Sequence, residues 1–451
     1  MATTSEHITS QPVRTIFEAI EARLPSRLEL FSKLAKQYSD VTLHNMTVGQ
    51  VLGGMRGLPC VLWEVSGTEK AGIRYHGKSL KELLEILPRW RGSEQISPEA
   101  MIWYLYTGTV PTRTELEVFA ADLARRAEPP VEVEEFCDSL LPDIASATQL
   151  MMCLSVWGNH SKFSAALVQG APRAELWRHA LEDALDSHSC TSIISARIYA
   201  NKYRDGRDRT TPLNPQGDIA ENFAIRMGRA GDHDFTELIR MYWSLHMDHG
   251  ANVSAHTMRL SSSAWTDPYL TLASGLISGT GILHAGAISQ ALRYNQAMAA
   301  ALGPEPSAQA VEAYICRTLE KGLVVPGYGH ALLRDVDPRL EPITRFINSR
   351  PVPASASGEQ GHMLRLIGRN STIVPEILRR RVPRMKSTAP NVDSLSGCLM
   401  YAHGLEIDFI LLVMGCSRGM GFMTQYVWDR ALGLAIERPL SITMDQIMAK
   451  M

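Results

Sequence analysis

Ser79-Leu80-Lys81-Glu82-Leu83-Leu84-Glu85-Ile86-Leu87, residues 79–87, decides the fold class. Ser79 and Glu82 have the spacing of a capping box, in which each side chain satisfies a backbone N–H that the first helical turn leaves open. Leu80, Leu83, Leu84 and Leu87 then recur at helical spacing along one face. Thr114 with Glu117 repeats the device ahead of Leu116, Phe119 and Leu123, and Pro129-Pro130 predicts the end of that second helix. Strand-type residues gather only in Val61-Leu62-Trp63-Glu64-Val65 and Gly72-Ile73-Arg74-Tyr75, enough for one small hairpin and too few for a large sheet. The chain therefore reads as mainly α.

From Leu270 to Ala287, Gly, Ala, Ser and Thr interrupt the apolar residues, a composition that suits closely packed helices or a subunit seam. Asn348 to Gly358 turns to Pro, Ser and Ala and reads as a loop. A length of 451 residues suggests two or three domains, or one large helical body with a smaller appendage. Hydrophobic content of 45%, charged content of 20% and a net charge of -2 describe an ordinary soluble chain without the global basicity that recruits nucleic acid. The seven cysteines are odd in number, scattered and never spaced C-x-x-C, which argues against a disulfide framework or zinc knuckle and fits a reducing compartment. Phe409 to Met414, the best membrane candidate, is short and runs into Ser417 and Arg418, so no membrane span is expected. Neither a secretory signal nor a mitochondrial presequence is visible at the start, and the end is not a peroxisomal tail. The expected location is cytoplasmic, or the mitochondrial matrix if a presequence has been removed.

Chemistry concentrates in Val324-Val325-Pro326-Gly327-Tyr328-Gly329-His330. Gly327 and Gly329 allow a sharp turn with bare N–H groups, so a ligand can approach the backbone and His330 together. Asp337-Pro338-Arg339 adds a rigid turn ending in a guanidinium, the group best suited to gripping a carboxylate. His246, His249 and His284 also lie among glycines and small residues. Singly, such a histidine is more often a hydrogen-bonded core residue; four of them point beyond that. A metal reading of His246-x-x-His249 lacks a well-spaced third ligand other than His256 and has no glutamate in the zincin position. Asp393 stands just past Pro390 at an expected helix start, where a carboxylate is commonly only a cap. Arg418 ends an apolar run and needs a partner if buried, whereas Arg438 can pair with Glu437.

Read in order, Gly53-Gly54-Met55-Arg56-Gly57, Asn252-Val253-Ser254-Ala255-His256-Thr257, Pro326-Gly327-Tyr328-Gly329-His330, Asn391-Val392-Asp393, Ser417-Arg418 and Glu437-Arg438-Pro439 make the chain resemble a eukaryotic-type citrate synthase over almost its whole length. The resemblance implies a mainly helical homodimer with a large domain (1–287 and 398–451) and a smaller mobile domain (288–397) that close over oxaloacetate before an acyl-CoA is engaged. It implies that His284 holds the thioester oxygen, that Asp393 takes the neighbouring carbon's proton and that His330 polarises the ketone of oxaloacetate. His249, Asn252, Arg339 and Arg418 then bind oxaloacetate, Arg438 reaches in from the partner subunit, and Ser254 orients His284. CoA falls to Arg56, Arg173 and Lys386, with Val324, Gly327 and Gly329 of the glycine loop. The implied partners are oxaloacetate and acyl-CoA, the latter a substrate; no cofactor, metal, nucleic acid or membrane is expected.

Such a reaction needs these residue types. A thioester α-proton is too weakly acidic for an unaided carboxylate, so a donor must already face the enolate oxygen. His284 should be neutral, with Ile282 and Leu283 as its expected apolar surroundings, and Asp393 ionised yet poorly solvated. Three arginines offset the dicarboxylate, each charge-assisted bond contributing on the order of 1.5–3 kcal/mol.

Four departures bear on the substrate. Ala285-Gly286-Ala287-Ile288 stands where the resemblance implies Gly-Leu-Ala-Asn, Met414 where a phenylalanine is implied, and Ala389 where a tryptophan is implied. The stretch His249-Gly250-Ala251-Asn252 is one residue short of the eukaryotic form and lacks its glutamate. Lost bulk and polarity predict an alkylcitrate synthase that favours longer acyl-CoAs, since each buried methylene adds about 0.8 kcal/mol. The alternatives are packing exchanges in an enzyme making citrate or 2-methylcitrate, and a non-catalytic binding homologue. Retention of His284, His330 and Asp393 argues against the last.

Overall fold

The computed structural model describes residues 13–69, 72–303, 305–329, 336–350, 358–385 and 387–451. Helices dominate, and capping explains where several begin: Thr15 with Glu18, Thr47 with Gln50, Ser79 with Glu82 and Thr443 with Gln446 form reciprocal boxes. The box expected at Thr114 and Glu117 is instead made by Thr112 and Glu115. Thr112 has the extended backbone a cap requires (ψ 164°), and Thr114 already lies inside the helix Arg113–Arg126. Pro129-Pro130 falls between that helix and the next, Val131–Ser139, as expected.

The sheet is a three-stranded antiparallel ribbon of Ser66–Glu69, Gly72–Tyr75 and Lys78–Ser79 in sequence order. Ser66 pairs with Tyr75 and Glu69 with Gly72, so the first strand begins after Val61–Val65 and not within it. Tyr75 is fully buried, and its hydroxyl donates to the Asp248 carbonyl at 2.9 Å, which ties the ribbon to the helical body.

Two long helices, Leu176–Tyr203 and Ile407–Ala431, pack lengthwise through the main core. Ile407–Ala431 continues straight through Ser417 and Arg418. By length and composition it is apolar enough to cross a membrane, yet 78% of its apolar window is buried inside the protein, so core packing accounts for it. The small-residue stretch behaves as close packing demands: a Cβ on Gly275 of the helix Pro268–Gly279 would meet Phe422 at 3.0 Å and Met258 at 3.1 Å. Met298, Val311, Ile315, Val325, Leu366 and Ile377 gather in a second, smaller core drawn from residues 298–378. The helix Leu340–Ser349 takes in the first two residues of the stretch expected as a loop, and residues 351–357 of that stretch lie outside the described residues.

Candidate active site

His284 sits in the turn between the helices Pro268–Gly279 and Ala287–Leu302. The N–H groups of His284 and Gly286 both donate to the Gly281 carbonyl, at 2.9 and 3.1 Å. A Cβ on Gly286 would come within 2.9 Å of that oxygen and 3.0 Å of the Ile282 Cα, so the turn itself demands glycine where the resemblance implies leucine. His284 Nε2 lies 2.8 Å from Ser254 Oγ, and the Ser254 amide N–H points at the same nitrogen from 3.4 Å. These partners assign Nε2 as an acceptor, which leaves the ring proton on Nδ1. Burial, reinforced by the Arg418 charge, lowers the His284 pKa to about 4, so the imidazole is neutral. The expected reason needs correcting: Ile282 and Leu283 point outward, Leu283 being 99% exposed.

The glycine loop is strapped to the segment preceding Asp393. Gly327 and Gly329 have φ of 85° and 84°, a backbone region open mainly to glycine. Their amides are not all bare, contrary to expectation: the Gly329 N–H donates to the Ala389 carbonyl at 2.9 Å, and the Asn391 N–H donates to the Gly327 carbonyl at 2.9 Å. Asn391 also donates its side-chain amide to the Gly329 carbonyl (2.9 Å) and accepts from the Asp393 N–H (3.1 Å). Asn391 thereby satisfies one of the N–H groups that the first turn of the following helix leaves open. Asp393 begins the helix Asp393–Ala402 with no capping bond from its own side chain among the described residues. Burial pushes its pKa up to about 6, against the pull of Arg339 and with a smaller push from Asp337. His330, the residue after this loop, lies outside the described residues, as does Lys386.

Arg339 is buried and grips Asp337 in a two-pronged pair, Nε to Oδ1 at 2.9 Å and Nη2 to Oδ2 at 2.7 Å. One edge of the fork expected for the substrate is therefore already engaged. Burial alone would raise the Asp337 pKa, but the charge and hydrogen bonds of Arg339 outweigh it and hold the carboxyl well below its usual range. His249 contributes to the same lowering, which places it beside this pair. Arg418 is 7% exposed, and its Nη1 has no hydrogen-bond partner among the described residues. His246 Nε2 and Asp248 Oδ1 are buried and equally unpartnered there, and both residues, like Tyr242, feel the Arg418 charge. Buried polar groups are nearly always satisfied, so Arg418 Nη1 suits an anionic guest, whereas His246 Nε2 and Asp248 Oδ1 accept and call for a donor. His246 donates from Nδ1 to the Tyr242 carbonyl at 2.8 Å.

The remaining expected residues have the following surroundings. Asn252 caps the helix Val253–Ser263 by accepting from the Ala255 N–H at 3.1 Å, which leaves its NH2 group as the remaining donor. Arg173 lies over the Trp265 ring at 5.0 Å, while Arg56 and Val324 are exposed. Arg438 is exposed, and Glu437 pairs with Arg259 (3.3 Å) and His256 (3.4 Å) instead of with it. Reasoning from sequence missed Asn391 and Asp337 as positioning residues. The signal was present in the two-residue spacings Asn391-x-Asp393 and Asp337-x-Arg339, which suit Asx-type turns.

Beside His284, Ser254 and Arg418 opens a narrow slot of about 40 Å³, partly open to solvent. Leu276, Leu411, Met414 and Phe422 give it apolar walls, and Ala285 lines it too. Only two of the sequence departures thus border the slot. Ile288 is buried and fills the space above Gly397, and Ala389 belongs to the strap under the glycine loop.

Around the Arg418 charge lie a neutral imidazole at His284, a carboxyl of raised pKa at Asp393 and the buried Arg339–Asp337 pair, groups able to move a proton and hold an anion in a mainly helical protein. A family model described as "Citrate synthase, C-terminal domain" matches residues 54–440, and the chain belongs to the citrate synthase family. It is 38% identical over 439 residues to a mitochondrial 2-methylcitrate synthase of Fusarium solani, covering 96% of this chain and 91% of the relative. Identity to a mitochondrial citrate synthase of Aspergillus niger is 34% over 435 residues, covering 96% and 90%. The crystal structure of citrate synthase from Pyrobaculum aerophilum shares the fold with a TM-score of 0.74 at 19% identity, over 90% of this chain and 97% of that one.

Proposed function

We propose that this chain condenses oxaloacetate with acyl-CoA thioesters longer than propionyl-CoA, releasing an alkylcitrate and CoA. The observation that carries the reading is the apolar slot opening beside His284, with Ala285 and Met414 on its walls. In this reading ionised Asp393 takes the α-proton while His284 donates from Nδ1 to the developing enolate oxygen. The enol carbon attacks the ketone of oxaloacetate, which Arg418, the free edge of Arg339 and His249 hold and His330 polarises. Water then cleaves the thioester. No redox change occurs, so no cofactor is needed. The segment 288–397, which contributes the second core, closes over the site, and in a homodimer Arg438 enters from the partner subunit.

Hexanoyl exceeds acetyl by four methylenes, so at about 0.8 kcal/mol each the slot would favour the longer thioester by about 3 kcal/mol, over a hundredfold in kcat/KM. A thiol-release assay with oxaloacetate and acyl-CoAs of increasing length tests this. Acetyl-CoA outrunning hexanoyl-CoA would reject the alkylcitrate reading. One observation favours a second reading: identity is 38% to the named 2-methylcitrate synthase against 34% to the named citrate synthase. A maximum at propionyl-CoA in the same series would establish it. Both of those relatives are named as mitochondrial, which supports the mitochondrial matrix in preference to the cytoplasm.

A further inference from the structure

The slot lies among three helices, with Ala147 and Leu150 of Ser146–Trp157 on one side, Leu276 of Pro268–Gly279 on another and Gly415 of Ile407–Ala431 on a third. Glycine inside a long buried helix weakens it, so each such glycine needs a reason in the packing. For Gly419 and Gly421 the reason is a neighbour: a Cβ would meet Leu272 at 3.1 Å in the first case and collide with the Met247 carbonyl in the second. Gly415 differs. Its Cβ would meet a single atom, Leu276 Cδ2, at the ordinary contact distance of 3.4 Å. Among the described residues no packed neighbour claims the volume of its missing side chain, and Gly415 lines the slot.

We infer that Gly415 is a specificity-determining residue: its missing side chain keeps the slot open for the methylenes of an acyl chain beyond the reacting carbon. The inference rests on the reading that the slot takes the acyl tail. Gly279 also lines the slot, but a Cβ there would touch Ser254 Oγ, the partner of His284, so an effect on the acyl tail could not be separated from one on the imidazole. Gly415 carries no such link to the chemistry, and its backbone is ordinary helix that any L-residue adopts.

The experiment measures kcat/KM for purified full-length wild type, Gly415→Ala and Gly415→Val with propionyl-, butyryl-, hexanoyl- and octanoyl-CoA at saturating oxaloacetate. Hexanoyl exceeds propionyl by three methylenes, so Gly415→Val should lower the hexanoyl-to-propionyl ratio by about fiftyfold. Gly415→Ala, which adds a single carbon, should lower it by less and act most strongly on octanoyl-CoA. A ratio unchanged in both variants, or equal losses with every thioester, overturns the role of Gly415 while leaving the alkylcitrate reading intact. Wild type that turns over nothing longer than propionyl-CoA overturns both, and that result is visible before any variant is compared.

Discussion

Asp393→Asn separates catalysis from stability. In the folded protein the Asp393 carboxyl rises from its ordinary value of 3.8 to about 6, and burial is the main cause. A carboxyl raised in this way is penalised only in its ionised form. The cost to folding is therefore absent below pH 3.8, grows between 3.8 and about 6, and stands in full above that. At 1.36 kcal/mol per pH unit the full cost is about 3 kcal/mol, an upper value because water reaches part of the group. Replacement by the neutral, nearly isosteric amide removes it. Urea unfolding should find the variant more stable than wild type by up to about 3 kcal/mol at pH 7.5 and by under about 1 kcal/mol near pH 4. Turnover should fall by about 10²–10⁴, while calorimetry still detects oxaloacetate. In wild type, kcat/KM should decline as pH drops through about 6, since the base must be ionised; His284, at about 4, titrates below that limb. Equal stability of the two proteins at pH 7.5, or a gain that does not change with pH, would refute the picture of a desolvated base.

Ser254→Ala removes the hydroxyl 2.8 Å from His284 Nε2, a bond worth about 1 kcal/mol net, and should cut kcat about fivefold with little change in the KM for oxaloacetate. A rise in KM at constant kcat would show that Ser254 serves binding instead of the imidazole. Asp337→Asn takes the two-pronged partner from Arg339, and calorimetry should find oxaloacetate affinity reduced about tenfold. Unchanged or tighter binding would mean that Asp337 does not position the guanidinium.

Legibility from sequence followed interaction range. The Ser79–Glu82 box was readable because both partners lie within one helical turn. The second box was misplaced by two residues because Thr112 and Thr114 carry the same side chain, and only backbone conformation distinguishes cap from helix. Ile282 and Leu283 were expected to surround His284 by adjacency. Neighbours in a turn point in different directions, however, and half-buried His284 has Ser254 and Arg418 from other helices beside it. The glycine loop announced its positive φ angles. The destination of the Gly329 N–H, the Ala389 carbonyl sixty residues on, is a pairing that no local pattern encodes.

By itself the chain determined a mainly helical class, the order of its motifs and the residue types able to abstract a proton and hold an anion. These follow from short-range periodicity and from the chemistry each side chain carries wherever it lies. Tertiary structure alone decided which of those groups are desolvated, which edge of Arg339 is already taken and whether a missing side chain leaves packed contact, as at Gly275, or open space, as at Gly415. Burial, electrostatic field and empty volume are properties of helices meeting across long stretches of sequence, and they come into being only when the chain packs.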